Sequence, residues 1–407
     1  MVAAPRCPLL PPPRSVDLAV IGAGVAGCTV AAALRLDGWS GSISLLEIGR
    51  GSGGRCATRR SRLDPELQVN HGAPFFNLRA STPPRLIDPL AESGSIARYT
   101  EVIRSLNGDG RIDDPIVDGF SEGALWSGNG SMDALCQGLL AIATADQAPT
   151  ELHYSTLVRH LEPNGQGSAL RWTLRDSTGA VIGEARWVVL SGTLLAHPRC
   201  QMVFDWDAIP LEVAAQLRGD PKLQMAQRHL AGMKAQASSN LLLTLPTATA
   251  QHWLKQPWRI LQCDDSAQQR WGLRRISLQA LPSGRAAVVV ESSPAFARQH
   301  QDVYGSRSSA ALLLGAKPPA QAEAAVLDAL EQALQGALQL PTEGAERQLM
   351  RWGAAFPEAP GLPQNLMLCS ESAIGFCGDA IAGDGFGRVE GALRSAETLA
   401  SQLSALL

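Results

Sequence analysis

An α/β fold with two packed regions is expected from three observations. An apolar strand turns through closely spaced glycines into a helix near the N-terminus, a long middle stretch alternates apolar and polar residues, and the last helix carries one apolar stripe. The 407 residues, 45% apolar and 18% charged, suffice to bury a core of that size. A formal charge of −3 argues against a nucleic-acid partner, which needs a concentrated basic surface. No apolar run approaches the roughly 20 residues of a bilayer span, so no membrane partner is expected.

Residues 1–14 hold five prolines and no apolar core of a secretory signal, and they read as a disordered tail. The apolar run 18–21 then leads into Gly22-Ala23-Gly24-Val25-Ala26-Gly27 and a helical stretch reaching Leu36. Gly22 permits the tight turn, Gly24 lets the main chain approach a pyrophosphate, and Gly27 lets the helix lie close on its strand. The helix would aim free N–H groups and its positive end at the phosphates, which makes Gly22, Gly24, Ala26 and Gly27 candidate cofactor contacts. A second apolar run, 43–46, ends in Glu47, 20 residues beyond Gly27, where a carboxylate accepts hydrogen bonds from a ribose diol. That acid disfavours a 2′-phosphate, so FAD or NAD is implied and NADP is not.

A glycine- and arginine-rich loop, 49–62, follows, then Asn70-His71-Gly72-Ala73, and Ser81-Thr82-Pro83-Pro84 breaks the chain. Residues 99–122, rich in glycine and aspartate, read as surface loops or short strands. A helix is expected after Gly130, with Ser131 as its cap and Leu135, Leu139 and Leu140 on its buried side. From 152 to 190 three alternating runs, separated by turn signals at Pro163-Asn164-Gly165 and at 176–179, read as an antiparallel meander. Alternation returns over 224–300, with 241–243 and 287–291 the clearest strands, and a helix is expected over 320–340, ending before Pro341. Residues 375–379 read as a strand ending at Asp379, and Val389, Ala392, Leu393, Ala396, Leu399, Ala400 and Leu403 form the stripe of the last helix. The eight cysteines show no CxxC pair or zinc-like spacing, so no metal site is expected; reduced thiols fit a cytoplasmic location.

Gly53-Gly54-Arg55 would bring backbone N–H groups and a guanidinium to phosphate or ribityl oxygens, with Arg50 a further donor; Arg59 and Arg60 serve that end or face water. Were the cofactor FAD and not NAD, Asp379 would bond a ribityl hydroxyl, and the backbone at Arg388 and Val389 would point the last helix's positive end at the flavin ring, favouring its reduced form. His71 either contacts flavin or substrate or is an internally bonded histidine. Trp352 and Phe76 either wall a pocket for a planar ring or fill the core.

The run Glu47-Ile48-Gly49-Arg50-Gly51-Ser52-Gly53-Gly54-Arg55-Cys56-Ala57-Thr58-Arg59-Arg60 resembles renalase-type flavoproteins, relatives of the monoamine oxidases. Asn70-His71-Gly72-Ala73-Pro74-Phe75-Phe76, the stretch 291–300, Arg351-Trp352, Cys377-Gly378-Asp379 and the stretch 387–392 continue the likeness. Asn70, Pro74 and Phe296 depart from it, standing where an acid, a glutamine and a tryptophan are usual. The resemblance implies a p-hydroxybenzoate hydroxylase-like architecture: a Rossmann-like FAD-binding domain with a β-meander, and a smaller α+β substrate domain with an antiparallel sheet. Residues 15–75, 100–200 and 346–407 are assigned to the first, 76–99 and 201–345 to the second. It further implies noncovalent FAD and a small-molecule substrate, a dihydronicotinamide isomer of NAD(P)H, oxidised by hydride transfer to flavin N5 with dioxygen giving hydrogen peroxide. An amine oxidase or other flavin oxidoreductase on the same scaffold is the alternative, and a non-catalytic flavin-binding module the alternative of another class. The oligomeric state is left open.

Overall fold

A computed structural model describes residues 15–61, 64, 66–145, 149–301, 303 and 320–407. The expected N-terminal tail lies outside them. The strand Ser15–Ile21 sits at the centre of an eight-stranded sheet, with Ile43–Leu46 parallel on one side and Val181–Leu190 parallel on the other. Its middle is buried on both faces, as a parallel strand under helices must be. The Val25–Leu36 helix covers one face and packs against the helices Ala134–Thr144 and Val389–Ser404. Val389 is half-buried, and the rest of the stripe expected on the last helix is buried.

The meander is present but one strand later than the sequence reading. Thr150–His153, which holds Leu152, pairs parallel with Ile43–Leu46 and lies on the other edge of the sheet. The antiparallel partners are His160–Asn164, Arg171–Arg175 and the first half of Val181–Leu190, whose second half runs parallel to Ser15–Ile21 and to Ile374–Phe376. Pro163 and Asn164, expected as a turn, are paired strand residues, and Gly165 at φ +77° turns the chain. Ser131 does not cap the following helix: Asp133 holds the cap position, and the Ser131 hydroxyl donates to the Asp133 carboxylate at 2.6 Å.

The second sheet has seven strands, in the order Glu346–Pro357, Ala235–Leu245, Ala286–Ser292, Leu273–Ala280, Ile260–Cys263, Ile103–Leu106 and Ile112–Asp113. It is antiparallel except where Ile103–Leu106 pairs with Ile260–Cys263. One face, with Leu241, Leu243, Val288, Val290 and Ile276, is covered by the helix Ala320–Leu338 and its neighbours. Residues 221–232, partly assigned to strand, form the helix Pro221–Gly232: the Asp220 carboxylate accepts from Lys222 N at 2.8 Å, Pro221 opens the helix, and Leu223, Ala226, Gln227 and Leu230 recur on its buried side.

Packing moves all four of the expected domain boundaries: Phe204, Leu211, Leu223 and Leu230, assigned to the second domain, pack in the core of the first sheet. Leu86, Ile87, Leu90 and Ile96 belong to the core of the first sheet, whereas Ile103–Leu106 and Glu346–Pro357 are strands of the second. No helix of the described residues is long and apolar enough to cross a membrane. The seven described cysteines are unbonded and buried.

Candidate functional site

Two glycine turns meet where the first strand ends. Gly22 has φ +106°, and a Cβ on it would stand 2.5 Å from the Ser191 hydroxyl; a Cβ on Gly27 would stand 1.9 Å from the Gly22 carbonyl oxygen. Gly27 is therefore a packing requirement rather than a cavity residue. Gly24 forms an isolated parallel bridge with Gly53, and Gly53 N donates to the Ala23 carbonyl at 2.9 Å. Gly53 at φ +127° and Gly54 at φ +55° hold the second turn in conformations side chains disfavour, and a Cβ on Gly54 would approach Gly24 Cα to 3.3 Å. The outcome is a bare backbone shelf made by residues 30 positions apart.

Glu47 lies beside this shelf. Its carboxylate accepts from Ala23 N at 2.8 Å and Gly49 N at 2.5 Å, which fixes it at the end of its strand. Burial raises its pKa above the usual carboxylate value, against the lowering effect of those two N–H groups.

The C-terminal segment closes the other side. Arg55 donates from Nη1 to Asp379 Oδ2 at 2.7 Å and from Nη2 to Oδ1 at 2.5 Å, and Nη1 also reaches the Ala355 carbonyl at 2.8 Å. This bidentate pair joins residues from the two ends of the chain, and the Arg55 side chain still keeps 41% of its surface open to the cavity. The neighbouring Asp379 raises the Arg55 pKa against the effect of burial. Arg388 and Val389 begin the last helix; Arg388 donates to Asn77 Oδ1 at 3.3 Å and pairs with Glu390 at 3.1 Å. Burial lowers the Arg388 pKa.

One cavity, with about 1800 Å³ of atom-free space including its open mouth, is bordered by Gly22, Gly24, Ala26, Glu47, Gly53, Gly54, Arg55, Asp379, Arg388 and Val389. Phe76 and Trp352 border it too. Arg50 is exposed and outside this wall, and Gly27 lies behind it. Arg60 pairs with Asp133 instead of facing the cavity. His71 is buried, its ring stacked on Trp352 with centroids 5.5 Å apart and its Nδ1 without a hydrogen-bond partner. Burial, with the charge of Arg59, lowers the His71 pKa to about 4, so it stands as a neutral ring behind the Trp352 wall.

Part of the cavity wall comes from residues the sequence did not single out for it: Ser238, Asn240, Arg275, Phe120 and Phe356, with Glu291 quoted only inside a motif. Strand register gathers them, with Asn240 opposite Glu291, Glu291 opposite Arg275, and Ser238 opposite Trp352. Phe120 and Phe356 meet edge-on at 5.3 Å, and Arg274 lies 3.9 Å from the Phe356 ring centroid. Paired aromatics of this kind carry no local spacing signal.

Residues 20–88 match the NAD(P)-binding Rossmann-like domain family. The chain's fold is shared with known oxidoreductases. An oxidoreductase from Methanosarcina mazei matches at TM-score 0.59 and 12% identity over 95% of this chain and 100% of that one. A putrescine oxidase variant redesigned in its cofactor binding matches at TM-score 0.56 and 14% identity, over 97% and 100%. No curated protein matches in sequence. The α/β class expected from the sequence, with its Rossmann-like unit, is the one found.

Proposed function

We propose that this chain is an FAD-dependent oxidoreductase that binds its flavin noncovalently and oxidises dihydronicotinamide isomers of NAD(P)H. The observation that carries the reading is the single cavity shared by Gly24, Glu47, Gly54 and Arg55 with Asp379, Arg388 and Val389. The donors fit the group. The glycine shelf offers bare N–H groups where a pyrophosphate would lie, the Glu47 carboxylate suits a ribose diol, and Arg55, clamped by Asp379, suits ribityl oxygens. The last helix opens toward the cavity with its positive end, which favours negative charge on a reduced ring.

FAD held by these residues would supply hydride-accepting chemistry: the dihydronicotinamide would lose a hydride and become aromatic, and dioxygen would take up that electron pair with two protons, one from the hydride and one from solvent, to give hydrogen peroxide. The protein's share is to hold and orient. Trp352, Phe356 and Phe120 supply flat apolar surface for a planar substrate and keep water from the ring. His71, stacked on Trp352, positions that wall. A second reading, oxidation of an amine, is favoured by the aromatic wall and by the likeness to putrescine oxidase.

Anaerobic mixing separates the readings. Bleaching of the yellow flavin band by 1,2- or 1,6-dihydronicotinamide dinucleotides, and not by putrescine or benzylamine, supports the first. Bleaching by amines alone supports the second, and bleaching by neither leaves a flavin-holding module without turnover.

A further inference from the structure

The loop that carries Phe120 into the cavity wall is fastened by one buried amide. Residues 116–122 bring the Phe120 ring against Phe356, yet Val117 in the same loop is 75% exposed. Most of the loop's hydrogen bonds close on itself: Ser121 N and Glu122 N donate to the Asp118 carbonyl, and the Asp118 carboxylate accepts from Phe120 N and Ser121 N at 2.9 Å. Among the described residues, the hydrogen bonds that join the 116–122 backbone to the rest of the protein come from Asn77. Its Nδ2 donates to the Gly119 carbonyl at 3.0 Å and to the Glu122 carbonyl at 2.7 Å, so it grips the chain on both sides of Phe120. Its Oδ1 accepts from Arg388 Nη1 at 3.3 Å. Asn77 is buried in the strand Phe76–Leu78 and borders the same cavity. The loop's side-chain ties are weaker. The Arg79–Glu122 pair is exposed, Gln262 Nε2 reaches Asp118 Oδ1 only at 3.5 Å, and Arg274 stands 5.4 Å from the Phe120 ring centroid.

We infer that Asn77 is a positioning residue, a latch on the 116–122 loop that keeps Phe120 in the wall facing the substrate and, through Arg388, ties that wall to the start of the last helix. This rests on the reading above that the aromatic wall receives a planar substrate. A turn whose own bonds are internal can swing as one piece, so its place is set by whatever holds it from outside. An amide suits that task because it offers two donors to two carbonyls and one acceptor to a guanidinium, and Asn77 uses all three. Without the two donors the loop withdraws and takes the Phe120 ring with it. The glycine shelf, Glu47 and Arg55 stay in place, so the loss falls on the substrate and not on the flavin nucleotide.

Asn77→Asp tests it, since aspartate keeps an acceptor for Arg388 and removes both donors. Chymotrypsin cuts after aromatic residues that leave their packing, so its cut after Phe120, identified by fragment mass, reads the latch with no substrate present. That cut should quicken roughly tenfold in the purified variant while cuts after other aromatic residues keep their rates. On anaerobic mixing with 1,6-dihydronicotinamide dinucleotide, the variant should need roughly tenfold more substrate for half-maximal flavin reduction, a larger change than in the limiting rate. Phe120→Ala should raise the same concentration, and the double variant should be no worse than Phe120→Ala alone, because Asn77 acts through that ring. An unchanged cut after Phe120, cuts quickened equally at every site, or losses that add in the double variant would overturn the inference. Should Asn77→Asp not fold, Asn77→Ser, with one short donor in place of two, reads the same contrast. A dihydronicotinamide that bleaches no flavin in the unaltered protein sinks the functional reading separately, and the cleavage pattern still decides the latch.

Discussion

Two neighbouring glycines should respond differently to the same methyl group if the first turn is a phosphate shelf. Gly24 has φ −77° and ψ −175°, an extended conformation open to any residue, and a Cβ there would meet nothing nearer than Gly54 Cα at 3.8 Å. Gly24→Ala should leave the ligand-free protein intact or raise its stability by about 0.4–1 kcal/mol, since alanine restricts the unfolded chain. The methyl would nonetheless stand where a pyrophosphate must approach. Loss of one charge-assisted N–H contact, about 1.5–3 kcal/mol, is a loss of about ten- to a hundredfold in FAD affinity. Gly27→Ala differs in kind: its Cβ would stand 1.9 Å from the Gly22 carbonyl oxygen and 3.0 Å from the Ser191 hydroxyl, so the backbone turn itself must move. Overpacking of this sort costs about 1–3 kcal/mol, and the displaced turn weakens FAD as well. Thermal denaturation of the ligand-free proteins and fluorescence titration with FAD read the two effects apart. A Gly24→Ala protein that binds FAD like the parent, or a Gly27→Ala protein that melts like it, refutes the reasoning.

Three further outcomes follow from the site. His71 is depressed from 6.5 to about 4 by burial and by Arg59, so protonation favours the unfolded chain; the stability tied to its neutral form is complete above pH 6.5 and is lost as pH falls toward 4. Between pH 7.5 and pH 5 this one group should cost about 2 kcal/mol of stability in urea denaturation, and His71→Phe should shrink the difference between the two pH values by about that amount. Asp379→Asn leaves Arg55 without its charge partner; because that side chain is 41% accessible, about 1–2 kcal/mol is expected instead of the 3–5 of a fully buried pair, with about a tenfold drop in FAD affinity on titration. Trp352→Ala opens part of the cavity wall, so it should raise the substrate concentration needed for half-maximal flavin reduction while leaving the flavin content of the purified protein unchanged.

What the sequence disclosed and what it hid divide along local and nonlocal lines. The turn at Gly22 to Gly27, the strand Ile43–Leu46 and its terminal Glu47 are set within 30 residues by backbone sterics and periodicity, and they stand as read. Asp379 and the last helix were legible for the same reason. Their convergence with Arg55 was legible only through the resemblance, since nothing local ties residues 324 positions apart. The misplaced meander strand shows the limit of alternation: Thr150–His153 has a strand's pattern, but which partner it takes, and in which direction, is decided by the sheet. The Pro221–Gly232 helix carries its own signals in Asp220 and Pro221, which the alternation that follows masks. Glu291, Arg275 and Asn240 could not be assembled beforehand, because only the register of three strands sets them on one face.

The central claim is that both ends of the polypeptide grip one flavin nucleotide. Mild acid denaturation of the purified protein, with chromatography and mass determination of the released material, tests it most directly. About one FAD per chain in the soluble fraction, with the polypeptide left colourless, is the predicted result. A colourless native protein that neither releases nor takes up FAD, or one that releases only a nicotinamide dinucleotide, contradicts it.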